Sequence, residues 1–358
     1  MRKPDNAPRK PRISDIAAMA GVSRMTVSQA LNPRAGSVRV SPETRAKIQR
    51  LAQKLNYRPN LAARQLAGGS SKIVGYILDA QSTENWISCM ATVEQILGEA
   101  GYRLQIGAQH DNFRAIEEQV ADFHARNVDG IICCSHTYLE FGAKIAPLFE
   151  SFPNKVFIHE PVTPGSVSFV AQDQRAGIRM LVQRLISRGC RAPYLITPGI
   201  TDCVHYIRIN AFLEIMREYR FRRPEQYSFQ LAPPGGLATE TGCNWLLDRL
   251  LPLRPDGLIV YSDIIAIRLI NLLKKRGLKV PQDIAVASHR HTKYGEANSP
   301  SVTGLDYHFA EVGRDAAELL LKFMQMPKTE ERPVVEKYIQ VRRVRQEHLK
   351  KKRNRVLT

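Results

Sequence analysis

The stretch RISDIAAMAGVSRMTVSQALN, residues 12–32, carries two short apolar patterns on either side of a single glycine. Ile16, Ala17 and Ala20 fall on one side of a helical turn, and Val27, Ala30 and Leu31 repeat the spacing. The pattern predicts two short helices packed across a tight turn at Gly21. Ser14 and Ser23 stand where a hydroxyl can accept from the free N–H groups of each first turn, so both read as helix caps. The outward face of the second helix is then Arg24, Met25, Thr26, Ser28 and Gln29. Arginine can fork onto guanine O6 and N7, glutamine can pair with adenine N6 and N7, and Thr, Ser and Met suit bases, methyls and phosphates. That face predicts a helix that enters the major groove of duplex DNA.

The charge of the chain supports a polyanion at this end. Of 358 residues, 52 are Lys or Arg and 34 Asp or Glu, a formal +18. Residues 1–70 hold 14 basic against 3 acidic side chains and residues 342–358 hold 8 against 1, so residues 71–341 are neutral with 30 of each. A basic end beside a neutral body implies a nucleic-acid-binding module joined to something with a different task. The length allows two or three domains. No apolar run approaches the ~20 residues of a membrane span, and MRKPDNAPRKPR at the start lacks the apolar stretch of a secretory signal, so the expected compartment is the cytoplasm with no membrane partner. The six cysteines show no C-x-x-C spacing and read as small buried apolar side chains in a reducing compartment.

After a loop at 33–40, SPETRAKIQRLAQKLNY opens with a Ser cap and a Pro at the first helical position, and Ile48, Leu51, Ala52 and Leu55 form one stripe. This third helix closes a miniature core. RPNLAARQLAGGSS follows, where Asn60 can cap a short helix that two glycines end. So short a helix is not stable alone in water, which predicts a segment that orders on binding.

These three blocks, DIAAMAGVSRMTVSQALN, SPETRAKIQRLAQKLNYRPN and ARQLAGG, resemble in order and spacing the N-terminal domain and hinge of the lactose/galactose repressor (LacI) family of bacterial transcription regulators. The resemblance implies that the second helix is the recognition helix, with Arg24, Met25 and Gln29 as base readers and Ser14, Ser23, Thr26, Ser28 and Asn32 beside them. It implies that Leu66 on the hinge helix enters the minor groove, with Asn60, Ala63 and Arg64 nearby; the unstacking is offset by contacts that a bent duplex permits. The family more often has Arg at the position of Gln29, and its loop between Asn32 and Ser41 is usually shorter, so an altered operator is expected.

The middle of the chain reads as α/β independently of that resemblance. Strand-like KIVGYIL, RLQIG, DGIICC and KVFIH alternate with helical WISCMATVEQILGEAG and IEEQVADFHARN. A second series runs through APYLIT, a helix at 206–219, YSFQL, a helix at 238–250, DGLIVY and IAVAS. The alternation implies parallel sheets. Asp129-Gly130 and Asp256-Gly257 each lead into an apolar strand, which reads as two similar lobes in tandem, the architecture of periplasmic solute-binding proteins and of the family's effector domain. The expected organisation is a basic arm at 1–11, a helix-turn-helix domain at 12–59, a hinge helix and linker at 60–71, a two-lobed effector and dimerisation domain at 72–341, and a basic tail at 342–358 without leucine heptads.

Ligands of open α/β sheets sit beyond the carboxyl ends of strands, here between the lobes. Strand ends therefore nominate Asn85, Trp86, Glu160, Asp173, Arg208, Ser262 and Asp263. The resemblance supports Arg208 and Asp263 best; for Asp173 and Asp263, helix capping is the stronger reading. After the strand ending at Ser288 the family usually has an aromatic and one or two Asp. This chain has SHRHT, where His289, Arg290 and His291 replace acceptors with donors and positive charge. Arginine grips carboxylate or phosphate bidentately, so a sugar acid or sugar phosphate is expected beside the sugars the family implies.

Catalysis is not expected, because G-x-S-x-G, H-E-x-x-H, Walker A and G-x-G-x-x-G after a strand are all missing from the sequence. No cofactor or metal is expected either. The expected function is a homodimeric transcriptional regulator, a repressor, that binds a pseudo-palindromic operator and is switched by a small molecule. Residues 71–341 alone would also permit a solute-binding protein for a transporter, and the basic ends alone a chromosome-packaging protein. The DNA-reading module argues against the first and the neutral two-lobed body against the second.

Overall fold

The computed structural model describes residues 11–31, 40–57, 69–79, 84–109, 112–134, 142–163, 165–198, 203–233, 235–298 and 301–344. The chain divides into two compact units, residues 1–71 and 72–358. In the first, α1 (Ile13–Ala20), α2 (Arg24–Leu31) and α3 (Pro42–Lys54) enclose a core of Ile16, Ala17, Ala20, Val27, Ala30, Ile48 and Ala52, all buried. Eight-residue helices are marginal alone, so this shared core is what holds α1 and α2. Gly21 ends α1 at φ +70°, a left-handed conformation natural to glycine. Ser41 accepts from the Thr44 N–H at 3.2 Å, with Pro42 following it at the start of α3.

Ser14 is not the cap of α1. The helix begins at Ile13 with Arg12 as its N-cap, two residues before Ser14, and the Asp15 carboxylate accepts from the Arg12 N–H at 2.7 Å. The acid in the first turn satisfies the orphan donor, so the serine hydroxyl is left outside that role.

The second unit holds two parallel sheets. The first runs β2 (Arg103–Gln109), β1 (Ile73–Asp79), β3 (Gly130–Cys133), β4 (Lys155–Ile158), β5 (Phe169–Gln172) and β11 (Glu336–Ile339) across the sheet. The second runs β7 (Ser228–Gln230), β6 (Pro193–Thr197), β8 (Gly257–Val260) and β9 (Ala285–Ser288), extended by a parallel bridge from Ala287 to Thr303. Both share one order, second strand, first, third, fourth, so the strands of each fan out from a switch point between the first and third. The central strands are buried on both faces, as crossover helices require. Helices α4 (Glu84–Glu99), α5 (Phe113–Ala125) and α6 (Gly142–Leu148) serve the first sheet, and α7 (Gln174–Ile186), α8 (Cys203–Glu218), α9 (Glu240–Leu250) and α10 (Asp263–Lys275) the second.

The repeated Asp-Gly has a repeated task. Asp129 accepts from the Lys72 N–H at 2.7 Å, just before β1, and Asp256 accepts from the N–H groups of Arg191 at 2.6 Å and Ala192 at 2.8 Å, just before β6. Each carboxylate thus pins the start of the first strand of its lobe to the entry of the third.

The lobes are not in tandem. After β10 (Gly304–Asp306) the chain returns to the first lobe, where α12 (Phe309–Gln325) packs on α4 and β11 completes the sheet beside β5. It then crosses again, and β12 (Arg342–Val344) pairs with β10 antiparallel. The approach of α12 to α4 depends on Gly313, where a Cβ would lie 2.4 Å from the Cys89 carbonyl oxygen. A remaining short helix, α11 (Lys293–Ala297), follows β9.

Candidate functional site

Two places concentrate the sequence-nominated residues. The first is the surface of α2. Ser23 caps this helix: its Oγ accepts from the Thr26 N–H at 3.0 Å and lies 2.8 Å from the Thr26 hydroxyl. Ser23, Arg24, Met25 and Ser28 are exposed, while Thr26 and Gln29 are half-buried. Met25 is 71% exposed, an unusual setting for a long apolar side chain and one suited to a thymine methyl. The Lys47 ammonium donates to the Ala20 carbonyl at 3.1 Å, placing a positive charge at the C-terminal end of α1 and tying α3 to the turn. Asn32, Asn60, Ala63, Arg64 and Leu66 lie outside the described residues.

The second place is where the two lobes of the second unit meet. On the first-lobe side, Trp86 sits edge-on between His159 and Phe309, with centroids 4.6 Å away in each case. Glu160 holds Arg175 of the second lobe through two hydrogen bonds of 3.0 and 3.2 Å, and its backbone carbonyl accepts from the Cys203 thiol at 3.2 Å. Burial, with Glu160 beside it, pushes the Tyr338 hydroxyl up to about 12. Asn85 donates to the His291 carbonyl at 3.4 Å, and Glu84 meets the Lys293 ammonium at 2.8 Å.

On the second-lobe side, Asp173 caps α7 through the Ala176 N–H at 2.8 Å. Asp263 is buried and accepts from the Thr292 N–H at 2.6 Å, the Thr292 hydroxyl at 2.5 Å and the Ile264 N–H at 3.0 Å. Its carboxylate thereby joins the start of α10 to the loop after β9. Ser262 precedes α10 and gives its carbonyl to the Ala266 N–H at 3.0 Å.

Arg208 is buried at 7% exposure, and its Nε donates to the buried Gln174 amide at 3.0 Å. Arg290 is fixed through its backbone, which exchanges hydrogen bonds with the Ser288 hydroxyl at 3.1 and 2.6 Å. Burial, then the charge of Arg208, bring the Arg290 guanidinium down to about 10, against the pull of Asp263, Tyr307 and Tyr261. His289 stacks on Tyr307 with centroids 4.8 Å apart, and its Nε2 is hydrogen-bonded to the Tyr307 hydroxyl. Burial, followed by Arg208, Arg290 and His205, holds the His289 pKa well below 6.5. His289 is therefore neutral at pH 7 and adds no positive charge, contrary to the expectation from SHRHT. His291 is half-buried, and its Nδ1 has no hydrogen-bond partner among the described residues.

Sequence reasoning passed over Gln172 and Thr197, the last residues of β5 and β6. Both are buried, and the Gln172 amide and the Thr197 hydroxyl have no hydrogen-bond partner among the described residues. A polar side chain closing an apolar strand was the available signal. Tyr307 and Gln174 gave none, because their place follows from the crossings between lobes. Among the described residues no helix is long and apolar enough to cross a membrane, and no group of three His, Cys, Asp or Glu side chains could hold a metal ion.

Comparison with known proteins joins the two places. Residues 12–60 match the family described as bacterial regulatory proteins, lacI family, and residues 182–343 match the periplasmic binding protein-like domain. The HTH-type transcriptional repressor PurR of Histophilus somni is 24% identical over 91% of this chain and 96% of its own length. The ribose operon repressor of Haemophilus influenzae is 26% identical, covering 90% and 95%. The HTH-type transcriptional regulator CelR of Thermobifida fusca reaches 28%, covering 93% and 98%. Among solved structures, the lac repressor dimer bound to operator and the anti-inducer ONPF superposes with a TM-score of 0.81 at 19% identity, over 95% of this chain and 99% of that one. The CelR–cellobiose complex gives 0.68 at 22%, covering 94% and 99%. The chain therefore carries a lacI-family regulatory domain followed in sequence by a periplasmic binding protein-like domain, and the relatives that align along nine-tenths of its length are named as repressors and transcriptional regulators.

Proposed function

We propose that this chain is a cytoplasmic, homodimeric transcriptional repressor that binds a pseudo-palindromic operator and is switched by a small molecule in the interlobe cleft, binding that molecule without transforming it. The observation that carries the reading is the solvent face of α2, where Arg24, Met25 and Ser28 stand exposed on a helix held by the buried core of α1 and α3. The hinge residues Asn60, Ala63, Arg64 and Leu66 belong to the same proposal, as do Asn85, Trp86, Glu160, Arg208 and Ser262 for the cleft. Relatives named as repressors, and structures named for operator, anti-inducer and cellobiose complexes, support the division of labour.

A single recognition helix reads few base pairs, so selectivity needs a two-fold pair of half-sites and a dimer. The surface that supports self-association is the outer side of α10 with α11, where Ile264 is 43% and Tyr294 61% exposed around a groove also lined by Ile267, Arg268 and Asn271. Effector binding alters the angle between lobes at that surface, and a coupling of ~1–3 kcal/mol changes operator affinity roughly 5- to 150-fold.

Selection of bound fragments from genomic DNA by the purified protein at near-physiological salt tests the reading. The expected result is a two-fold-symmetric site whose affinity falls ~10³-fold or more between 50 and 200 mM salt, as for about six phosphate contacts. Recovery of random fragments with no shared site would overturn it.

A further inference from the structure

In a parallel sheet, every loop that leads from a helix into a strand lies at the amino edge, opposite the strands' carboxyl ends. In the second lobe these loops are residues 187–192, 219–227, 251–256 and 276–284, ahead of β6, β7, β8 and β9. They hold eight Lys or Arg against three Asp or Glu. The corresponding loops of the first lobe, 100–102, 126–129, 149–154 and 326–335, hold three against four. Cations at the carboxyl ends of helices complement the helix dipole, but that reason applies equally to both lobes. The shared topology therefore does not account for the charge of the second.

The acids of this edge are already engaged. Glu225 meets Arg217 at 2.6 Å, Asp256 accepts from the Arg191 and Ala192 N–H groups, and Asp283 accepts from the Lys279 N–H at 2.7 Å. Of the cations, Arg276 pairs with Asp248 at 2.8 Å and Arg188 is half-buried. The other six, Arg191, Arg220, Arg222, Arg223, Arg254 and Lys279, are exposed, and their side chains have no hydrogen bond or ion pair among the described residues. Each of the four loops supplies at least one of them. Arg220, Arg223 and Arg254 stand at φ of +61°, +51° and +53°, a left-handed backbone that suits glycine better than arginine. Local conformation is thus no reason for arginine there.

The width and chemistry of the edge fit a duplex backbone. Four strands spaced ~4.8 Å apart spread the loops over roughly 15 Å, and duplex DNA presents one negative charge per ~1.7 Å of its axis, so several phosphates face the edge together. Seven of the eight cations are arginine, whose fork matches phosphate oxygens. β12 runs antiparallel to β10, so the chain at Val344 heads toward this same edge, and the sequence beyond it, 345–358, has six Lys or Arg against one Glu.

We propose that the amino edge of the second lobe is a second, sequence-independent contact for duplex DNA, separate from α2, through which the protein holds two stretches of duplex. It takes from the regulatory reading only that α2 brings the first stretch. Duplex held there raises the effective concentration of its neighbouring stretches, so a weak second contact suffices.

The test uses full-length protein loaded onto a bead-bound duplex and measures capture of a labelled random-sequence duplex. Wild-type protein should capture it, with the capture falling ~40-fold between 50 and 200 mM salt, as for about three phosphate contacts. Arg220→Gln/Arg222→Gln/Arg223→Gln should load the beads as before and capture roughly fivefold less or lower still. Arg191→Gln/Arg254→Gln, from two other loops, should also capture less and serves should the triple variant not fold. Lys328→Gln, in a first-lobe loop, should leave capture unchanged. The proposal is overturned if wild-type protein captures nothing, if both second-lobe variants capture as well as wild type, which would assign the bridging to α2, or if Lys328→Gln loses as much as they do. Binding of phosphatidylglycerol vesicles without capture of duplex would assign the edge to a lipid surface and overturn it as well. Failure of the wild-type protein to select a shared site removes the regulatory reading, whereas the difference in capture between wild type and variants decides this one.

Discussion

The fourth strands of the two lobes, β4 and β9, are followed directly by His159-Glu160 and His289-Arg290, the same aromatic base followed by opposite charges. At the first, Glu160 reaches across to the second lobe and is met by Arg175 in a two-pronged ion pair. At the second, Arg290 is joined by a further cation, Arg208, and its neighbour His289 is kept neutral. One fold position thus serves to fasten the lobes in one copy and to gather positive potential in the other. The lesson is that topology fixes where a side chain stands, while the sign of its nearest charge decides what it does there.

The largest effect that would break this comparison comes from the clamp behind Arg290. Asp263→Ala removes the acceptor of three hydrogen bonds and leaves two buried donors on Thr292, so a loss of about 3 kcal/mol is expected in urea unfolding. A loss under about 1 kcal/mol would mean that the loop after β9 keeps its shape by other means.

Next in size is the pH response of His289. Its folded pKa lies below the unfolded value because of burial and then the positive neighbours, so the unfolded chain binds a proton that the native state refuses. Stability must therefore fall as pH drops below about 6.5, by at most ~1.4 kcal/mol per pH unit, until the folded pKa is reached. His289→Gln should flatten the slope of melting temperature between pH 7 and pH 5. An unchanged slope would place the proton-linked group elsewhere and weaken the contrast between the two strand ends.

The smallest expected effect sharpens the contrast. Arg175 is half-exposed, so Glu160→Gln should cost no more than about 1 kcal/mol of stability. Its consequence should show in the balance between open and closed lobes, read by small-angle scattering with and without ligand, with the variant more open. An unaltered scattering profile would leave the pair without a role in lobe closure.

Much of this was legible in residues, for physical reasons that also mark where legibility stops. Ile16, Val27 and Ile48 gave the helical module because apolar periodicity survives in short helices, and Gly21 marked the turn because few other residues tolerate its φ. Ser14 was misplaced because serine and aspartate are both good at helix starts, and the cap fell two residues earlier, at Arg12, whose N–H donates to Asp15. Asp129 and Asp256 announced two lobes through one repeated local task. The returns of α12 and β11 were not readable, since no local pattern states which of two similar sheets a strand will join. Gln172 and Tyr307 stayed hidden for the same reason: their importance arises only where separate crossings meet. Arg290 was visible as a departure from the family, but the neutrality of its neighbour depended on burial that one sequence does not disclose.

The interleaving of the lobes has a consequence for damage to the gene. Among the described residues the polypeptide passes between the lobes at 172–174, 306–309 and 339–342, so the first lobe owns segments encoded near both ends of the regulatory domain. A premature stop after codon 306 would spare every strand of the second sheet, yet it would strip the first lobe of the helix that covers α4 and of its edge strand. Late truncations should therefore injure the half of the protein that is written earliest.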